Sequence, residues 1–282
     1  MNTSFCSASV VISTYNRPKA LALVLQALSE QEVMPEQILI GDDGSKPETR
    51  ELIEKWADKR LPIQHHWHED QGYRKTIIMN RAFSHVTAPL TIFLDGDCIP
   101  GPGFVKDHLR LSQAGCLLAG PRILASPSYT NALESGQTGD FFEGSIVEKV
   151  SHRLKGEINR LLPLLALPDA SWRLTSPFRW ELVRGCNFSA PTECVWEVDG
   201  FEESLYGWGP DDSDIAVRLI NNGIKVKSGR FACPVLHLWH KEESRDGLSK
   251  NREYLQTAIT EKRVHALRGL SSHGFVRPGS IK

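Results

Sequence analysis

The chain has 282 residues, 40% of them hydrophobic and 24% charged, with 33 Lys+Arg against 34 Asp+Glu for a formal net charge of -1. Such a length is ample for a buried core and excludes a disulfide-stapled miniprotein. The near-balance of charge excludes the electrostatic footprint of a general nucleic-acid binder.

The first half alternates strand and helix signals at short spacing, the pattern of βαβ units in a mostly parallel central sheet flanked by helices, an α/β fold. Ser9–Tyr15 (SVVISTY) reads as a first strand, and Pro18 opens the amphipathic stretch Lys19–Gln31 at a first-turn position that accepts proline. Gln37–Ile40 is the second strand and runs into Asp42-Asp43-Gly44-Ser45, where Ser45 and Glu48 have the spacing of a capping box. A third strand at Ile63–Trp67 and a helix at Arg74–Val86 precede Leu90–Leu94, an apolar run between Pro89 and Gly96 typical of a strand buried on both faces. A helix at Phe104–Ala114 and a strand at Cys116–Ile123 follow. Residues Ala125–Trp180 hold scattered Pro, Ser and Gly and one amphipathic patch near Ile146–Leu167, so loops and short helices are expected there. Regular structure resumes at Arg184–Ala190, followed by a short helix at Thr192–Val198, a helix Asp211–Asn222 stopped by Gly223, strands at Ile224–Lys227 and Cys233–Leu238, and a last helix at Asn251–Leu267.

Three polar clusters come directly after predicted strands: Ser13–Arg17, Asp42–Ser45 and Asp95–Asp97. Ligands of open α/β sheets bind outside the carboxyl ends of the strands, so these loops are expected to face one crevice. Asp95-Gly96-Asp97 puts two carboxylates on the same side of an extended backbone, with a glycine between them allowing close approach. That pair suits a hard divalent cation, Mn²⁺ or Mg²⁺. Asp212-Ser213-Asp214 has the same spacing. Neither a dinucleotide fingerprint nor a phosphate-cradling glycine loop of the Walker type occurs, so any phosphate must be held by metal and side chains. His65-His66-Trp67-His68-Glu69-Asp70 has the composition of a metal site but no distant ligand set, and reads as a solvated strand end.

Taken in order and spacing, VVISTYNRP (10–18), ILIGDDGS (38–45), QGYRKTIIMNRA (71–82) and FLDGDCIP (93–100) resemble the nucleotide-sugar-binding half of family 2 glycosyltransferases with the Rossmann-like GT-A fold. The segment RGCNFSAPTECVWEVDGFEESLYGWGPDDSDIAVRLINNG (184–223) is similar to the acceptor segment shared by galactosyltransferase family 7 and bacterial polysaccharide polymerases. The resemblance implies residues 1–123 as the nucleotide-sugar-binding half and 124–282 as the acceptor-binding half of one domain. It further implies Thr14, Tyr15 and Arg17 at the base and ribose, Asp43 or Asp42 at the uracil edge, Arg74 near the diphosphate, Asp95 and Gly96 near the ribose and metal, and Asp97 on the metal. A late histidine would complete the metal site, with His237 preferred to His240. Gly207-Trp208-Gly209-Pro210-Asp211-Asp212 departs from the family's WGGED at two positions, Pro210 for glycine and Asp211 for glutamate. It places Asp212 as the catalytic base and Asp211 beside the acceptor, a pairing that can slip by one, while Trp208, with Trp180 or Tyr206 beside it, offers the acceptor ring an apolar face.

The implied activity is inverting, metal-dependent transfer of a sugar from a nucleotide-sugar, a UDP-sugar foremost, to a hydroxyl of a glycan, lipid-linked or other acceptor. Two alternatives stand beside it: a sugar-phosphate nucleotidyltransferase and a non-catalytic nucleotide-sugar-binding module. Six scattered cysteines without a CxxC pair point to free thiols in a reducing cytosol. The N-terminus lacks a signal-peptide pattern, and no apolar run is long enough for a bilayer span, so a cytoplasmic location is expected. Five bases against one acid in residues 261–282 would allow a peripheral contact with an anionic membrane through this tail.

Overall fold

The computed structural model describes residues 5–57, 61–205, 207, 209–241 and 248–279. Its elements in chain order are β1 (Ala8–Thr14), α1 (Pro18–Ser29), β2 (Gln37–Asp42), α2 (Pro47–Ala57), β3 (Ile63–Trp67), α3 (Lys75–Phe83), β4 (Leu90–Asp95), β5 (Cys98–Pro100), α4 (Phe104–Leu111), β6 (Cys116–Ala119), β7 (Arg122–Leu124), α5 (Pro127–Glu134), α6 (Ile146–Leu154), β8 (Asn187–Pro191), α7 (Thr192–Glu197), α8 (Asp211–Asn221), β9 (Lys225–Ser228), β10 (Val235–His237) and α9 (Leu248–Thr260).

A seven-stranded sheet has the order β3-β2-β1-β4-β8-β6-β9, and β8 alone runs against the rest. The β-branched and aliphatic runs of β1, β2 and β4 explain its burial on both faces, because successive side chains point to opposite sides. Val10, Ile12, Ile38, Ile40, Ile92 and Leu94 pack with α1, α2 and α4 in one core. Val11, Leu39 and Phe93 meet Met79 and Phe83 of α3, Val195 of α7 and Ile215 and Leu219 of α8 in the other. Both cores draw on residues from before and after position 124, so the two halves share one sheet and its two coverings. A second, three-stranded sheet, β5-β10-β7, joins Cys98–Pro100 to Val235–His237 and Arg122–Leu124.

Several expected boundaries move. The strand anticipated over Cys116–Ile123 is two strands in different sheets, broken at Gly120-Pro121, where a Cβ on Gly120 would lie 2.2 Å from the Asn187 side chain. The ordered stretch expected from Arg184 is a strand, and it starts only at Asn187. The final helix stops at Thr260 rather than Leu267, just before Lys262 adopts φ 52°. Ser45 lends its hydroxyl to the Asn16 N–H, which ties the β1 loop to the β2 loop. Among the described residues no helix is long and apolar enough to cross a membrane.

Candidate functional site

Register brings the strand-end loops together. Ser13 of β1 lies opposite Gly41 of β2 and Asp95 of β4, so the three chains end at one level. Gly96 N–H donates to the Ser13 carbonyl at 2.7 Å, and a Cβ on Gly96 would stand 2.9 Å from that oxygen, so only glycine lets the two loops meet this closely. Around these ends opens a crevice of about 1250 Å³, walled on the far side by Trp180, Arg184, Gly185 and the start of α8.

On the β2 side the carboxylates divide. Asp42 is fully buried, accepting from the Ser45 N–H at 2.8 Å and lying 3.0 Å from His65 Nε2, and it does not line the crevice. Asp43 does line it, with Oδ1 2.6 Å from His68 Nε2 and Oδ2 accepting the Arg74 N–H at 2.9 Å. The histidine run is therefore not a solvated strand end. His65 and His68 brace the two aspartates, and burial holds the His66 imidazole down at a pKa of about 4. Thr14 and Tyr15 line the crevice too, Tyr15 with its hydroxyl donating to Asp70 at 3.0 Å.

Arg74 departs from its expected place. Its guanidinium turns to the Glu69 carbonyl and it is absent from the crevice wall, whereas Lys75, the first residue of α3, points in. Lys75 Nζ donates to Asp95 Oδ1 at 2.9 Å and lies 3.9 Å from Asp211 Oδ2. Burial disfavours the ammonium, but the two carboxylates outweigh it and hold its pKa well above the ordinary lysine value. For Asp95 too burial is outweighed, by Lys75 and the Ser13 hydroxyl at 2.6 Å, and its pKa falls. Asp211 keeps a net rise: burial and the neighbouring Asp212 overcome Lys75, and its pKa is pushed up to about 6. Asp212 is fixed differently, Oδ2 accepting the Gly185 N–H at 2.8 Å and Oδ1 the Ser213 N–H at 2.7 Å. The second DxD-like match dissolves, since Asp214 is fully buried in an ion pair with Arg218 one turn on, at 2.8 Å.

Asp97, His237 and His240 form a cluster whose ligand atoms all lie within 4.8 Å of one another, the one such group among the described residues. His237 Nε2 is 3.8 Å from Asp97 Oδ1, and His240 Nε2 is 3.6 Å from Oδ2. Both histidines are brought in, and Asp95 is left to Lys75. Burial outweighs the aspartates to lower the His237 pKa, which favours the neutral, metal-binding imidazole. One carboxylate and two imidazoles fit Mn²⁺ better than Mg²⁺. Arg17 lines the crevice beside this cluster, donating to Asp97 Oδ2 at 2.8 Å, Glu134 Oε1 at 2.9 Å and the Trp239 carbonyl at 3.2 Å.

Tyr206 and Trp208 lie outside the described residues. Sequence reasoning missed Lys75, whose signal was only its place beside Arg74 in the YRK run. Trp180, offered as company for Trp208, does line the crevice, but Arg184 and the α9 residues Arg252, Leu255, Gln256 and Ile259 that also line it were missed. No local pattern marks these.

The glycosyl transferase family 2 model matches residues 9–160, more than half of the chain. The chain belongs to glycosyl transferase family 2. A second family model, described as the N-terminal domain of galactosyltransferase, matches residues 170–241. This family 2 chain is 30% identical over 232 residues to validoxylamine A glucosyltransferase of Streptomyces hygroscopicus subsp. limoneus, covering 79% of the chain and 49% of the relative. It is 25% identical over 235 residues to Escherichia coli chondroitin synthase, covering 78% and 33%. The chain thus spans half or less of the length of these relatives. Among solved structures, S. aureus TarS 1–349 in complex with UDP-GlcNAc matches with TM-score 0.60 at 15% identity over 94% of this chain and 69% of that one. The Pyrobaculum calidifontis mannosyltransferase PcManGT in complex with GDP-Man and Mn²⁺ matches with TM-score 0.52 at 16% identity over 80% and 56%. The fold is accordingly that of GT-A glycosyltransferases, as the motifs implied.

Proposed function

We propose that the chain is an inverting glycosyltransferase that moves a sugar from a UDP-sugar to a hydroxyl of a glycan or lipid-linked acceptor. The observation carrying this reading is the single crevice in which the three strand-end loops face the Asp211-Asp212 pair across Lys75. A binding module would need the donor loops but not a second acidic pair in which burial raises the pKa of one member, Asp211. The TarS complex with UDP-GlcNAc supports a UDP-sugar, and the PcManGT complex supports Mn²⁺.

Asp43 is set to accept from the nucleobase edge, held by His68 and the Arg74 N–H. Asp95, oriented by Ser13 and Lys75, faces the ribose. Asp97, His237 and His240 would hold a divalent cation, which when bound neutralises charge on the leaving diphosphate. Asp212 is the base. The Ser213 N–H and hydroxyl on Oδ1 and the Gly185 N–H on Oδ2 fix the carboxylate and leave Oδ2 a free lone pair, and geometry precedes pKa in such a role. The acceptor O–H gives its proton to Asp212 as the new C1–O bond forms. The C1–O bond to phosphate breaks on the opposite face, and UDP leaves with the electron pair. Asp211 positions the acceptor hydroxyl beside it. Proton transfer contributes roughly 10²–10⁴-fold, and holding donor and acceptor together supplies most of the remainder.

A panel of nucleotide-sugars with and without EDTA tests the reading. Slow metal-dependent UDP release from one donor, lost in Asp212→Asn with donor binding intact, supports it. Pyrophosphate formed from UTP and a sugar phosphate, or Asp212→Asn turning over at the wild-type rate, overturns it.

A further inference from the structure

The described residues include seventeen exposed large apolar side chains, and nine of them fall between Ile146 and Leu174. The densest group is on α6, a helix with no buried residue. Ile146, Val147 and Leu154 are 73%, 78% and 82% exposed, and Val150 is 39% exposed. At roughly 100° per residue these four occupy a single stripe about 100° wide. Ordinary surface helices turn such a stripe inward; α6 turns its polar side inward instead. His152 and Glu157 bond at 2.6 Å and the His152 ring lies against Tyr129, while Glu148 closes a capping box with Ser145.

Charge divides along the stripe: Asp140 and Glu143 lie at its N-terminal end, and Arg153 and Lys155 at its C-terminal end. Glu148 and Glu157 are both engaged, whereas Arg153 and Lys155, exposed beside Leu154, make no ion pair or side-chain hydrogen bond among the described residues. The C-terminal tail, the expected membrane contact, is the reverse: Arg263 meets Glu261 at 3.0 Å, Arg268 meets Glu203 at 3.5 Å and Arg277 meets Glu193 at 4.0 Å. Among the described residues of the tail only Lys262 is left without such a partner, whereas Arg153 and Lys155 stand free together at one end of an apolar stripe.

We propose that α6 docks on an anionic lipid surface, burying Ile146, Val147, Val150 and Leu154 among the acyl chains while Arg153 and Lys155 meet phosphate headgroups. The helix leads directly to the crevice. Beyond it the Glu157 carbonyl accepts from Ser126, Ile158 pairs with Ala125 and the Asn159 N–H donates to the Leu124 carbonyl, and Leu124 and Ala125 line the crevice wall. Docking would bring the crevice mouth down to the headgroups.

Flotation of the full chain with phosphatidylcholine vesicles, with and without phosphatidylglycerol, tests this without reference to catalysis. Wild type is expected to float with the anionic vesicles and not the neutral ones. The paired substitution Val147→Glu with Leu154→Glu, and separately Arg153→Glu with Lys155→Glu, should each lower the bound fraction about tenfold. The melting temperature should be unchanged, because the side chains are exposed. Lys262→Glu in the tail should change nothing. Wild type that fails to bind, or apolar-stripe variants that bind equally, overturn the proposal. So does a vesicle-free, concentration-dependent dimer abolished by Val147→Glu with Leu154→Glu, which would assign the stripe to a second copy of the chain.

Discussion

Among the described residues Asp211 is the carboxylate whose environment most opposes its charge, and replacing it should separate stability from function. Its pKa rises from 3.8 to about 6, a shift of about 2 units or roughly 3 kcal/mol at about 1.36 kcal/mol per unit. Because the folded-state pKa lies above the unfolded one, the native state binds the extra proton. Stability from this group is complete below about pH 4 and is lost as pH rises through about 6. Asp211→Asn carries no such cost, and Lys75 keeps Asp95 at 2.9 Å as its partner. Above about pH 7 the variant should therefore be more stable than wild type by up to roughly 3 kcal/mol, or about 6 °C in melting temperature. Near pH 4.5 the gain should shrink to about 1 kcal/mol or less. Paired thermal melts of both proteins across this range read the difference directly. In the same samples kcat/KM for transfer should fall in the variant, and the wild-type rate should decline as pH drops through about 6. A variant no more stable than wild type at high pH, or a gain independent of pH, would refute the assignment of strain to this carboxylate.

Asp97→Asn and His237→Ala should each weaken Mn²⁺ binding about tenfold or more in calorimetric titration, with equal affinity in the variants counting against the cluster. Arg218→Ala leaves Asp214 buried without its cation and should cost about 3–5 kcal/mol in denaturant melts, while a loss below about 1 kcal/mol would mean that water reaches the pair. Gly96→Ala forces a Cβ to 2.9 Å from the Ser13 carbonyl; a loss of about 1–3 kcal/mol with weakened donor binding is expected, and an unchanged donor Kd would show that the loop junction can relax.

What could be read from the sequence follows the range of the interactions concerned. Apolar runs at 10–12, 38–40 and 90–94 report their own burial, and a strand end is followed by a loop whatever its neighbours, so the meeting of Ser13, Asp43 and Asp95 was legible. Lys75 and Arg74 were not separable, because one residue at a helix start decides which side chain faces the crevice. His65 and His68 looked solvated because their partners, Asp42 and Asp43, come from the adjoining strand. The reversed β8 and the small sheet depend on pairings between distant segments, which no local pattern encodes. Asp211 and Asp212 could be found as a pair, yet their different electrostatics come from Lys75 and Gly185, far off in sequence.

The three-stranded sheet has a temporal consequence. It holds Cys98, next to Asp97, in register with His237, about 140 residues later. Loop closure over such a span is slow relative to the local βαβ units. During synthesis β1, β2 and β3, and with them the donor loops, have all their strand partners, and β4 its pairing with β1, long before β10 emerges. The order of assembly therefore runs from nucleotide side to metal side, and a nascent chain would hold its donor loops in place while Asp97 still waited for its histidines.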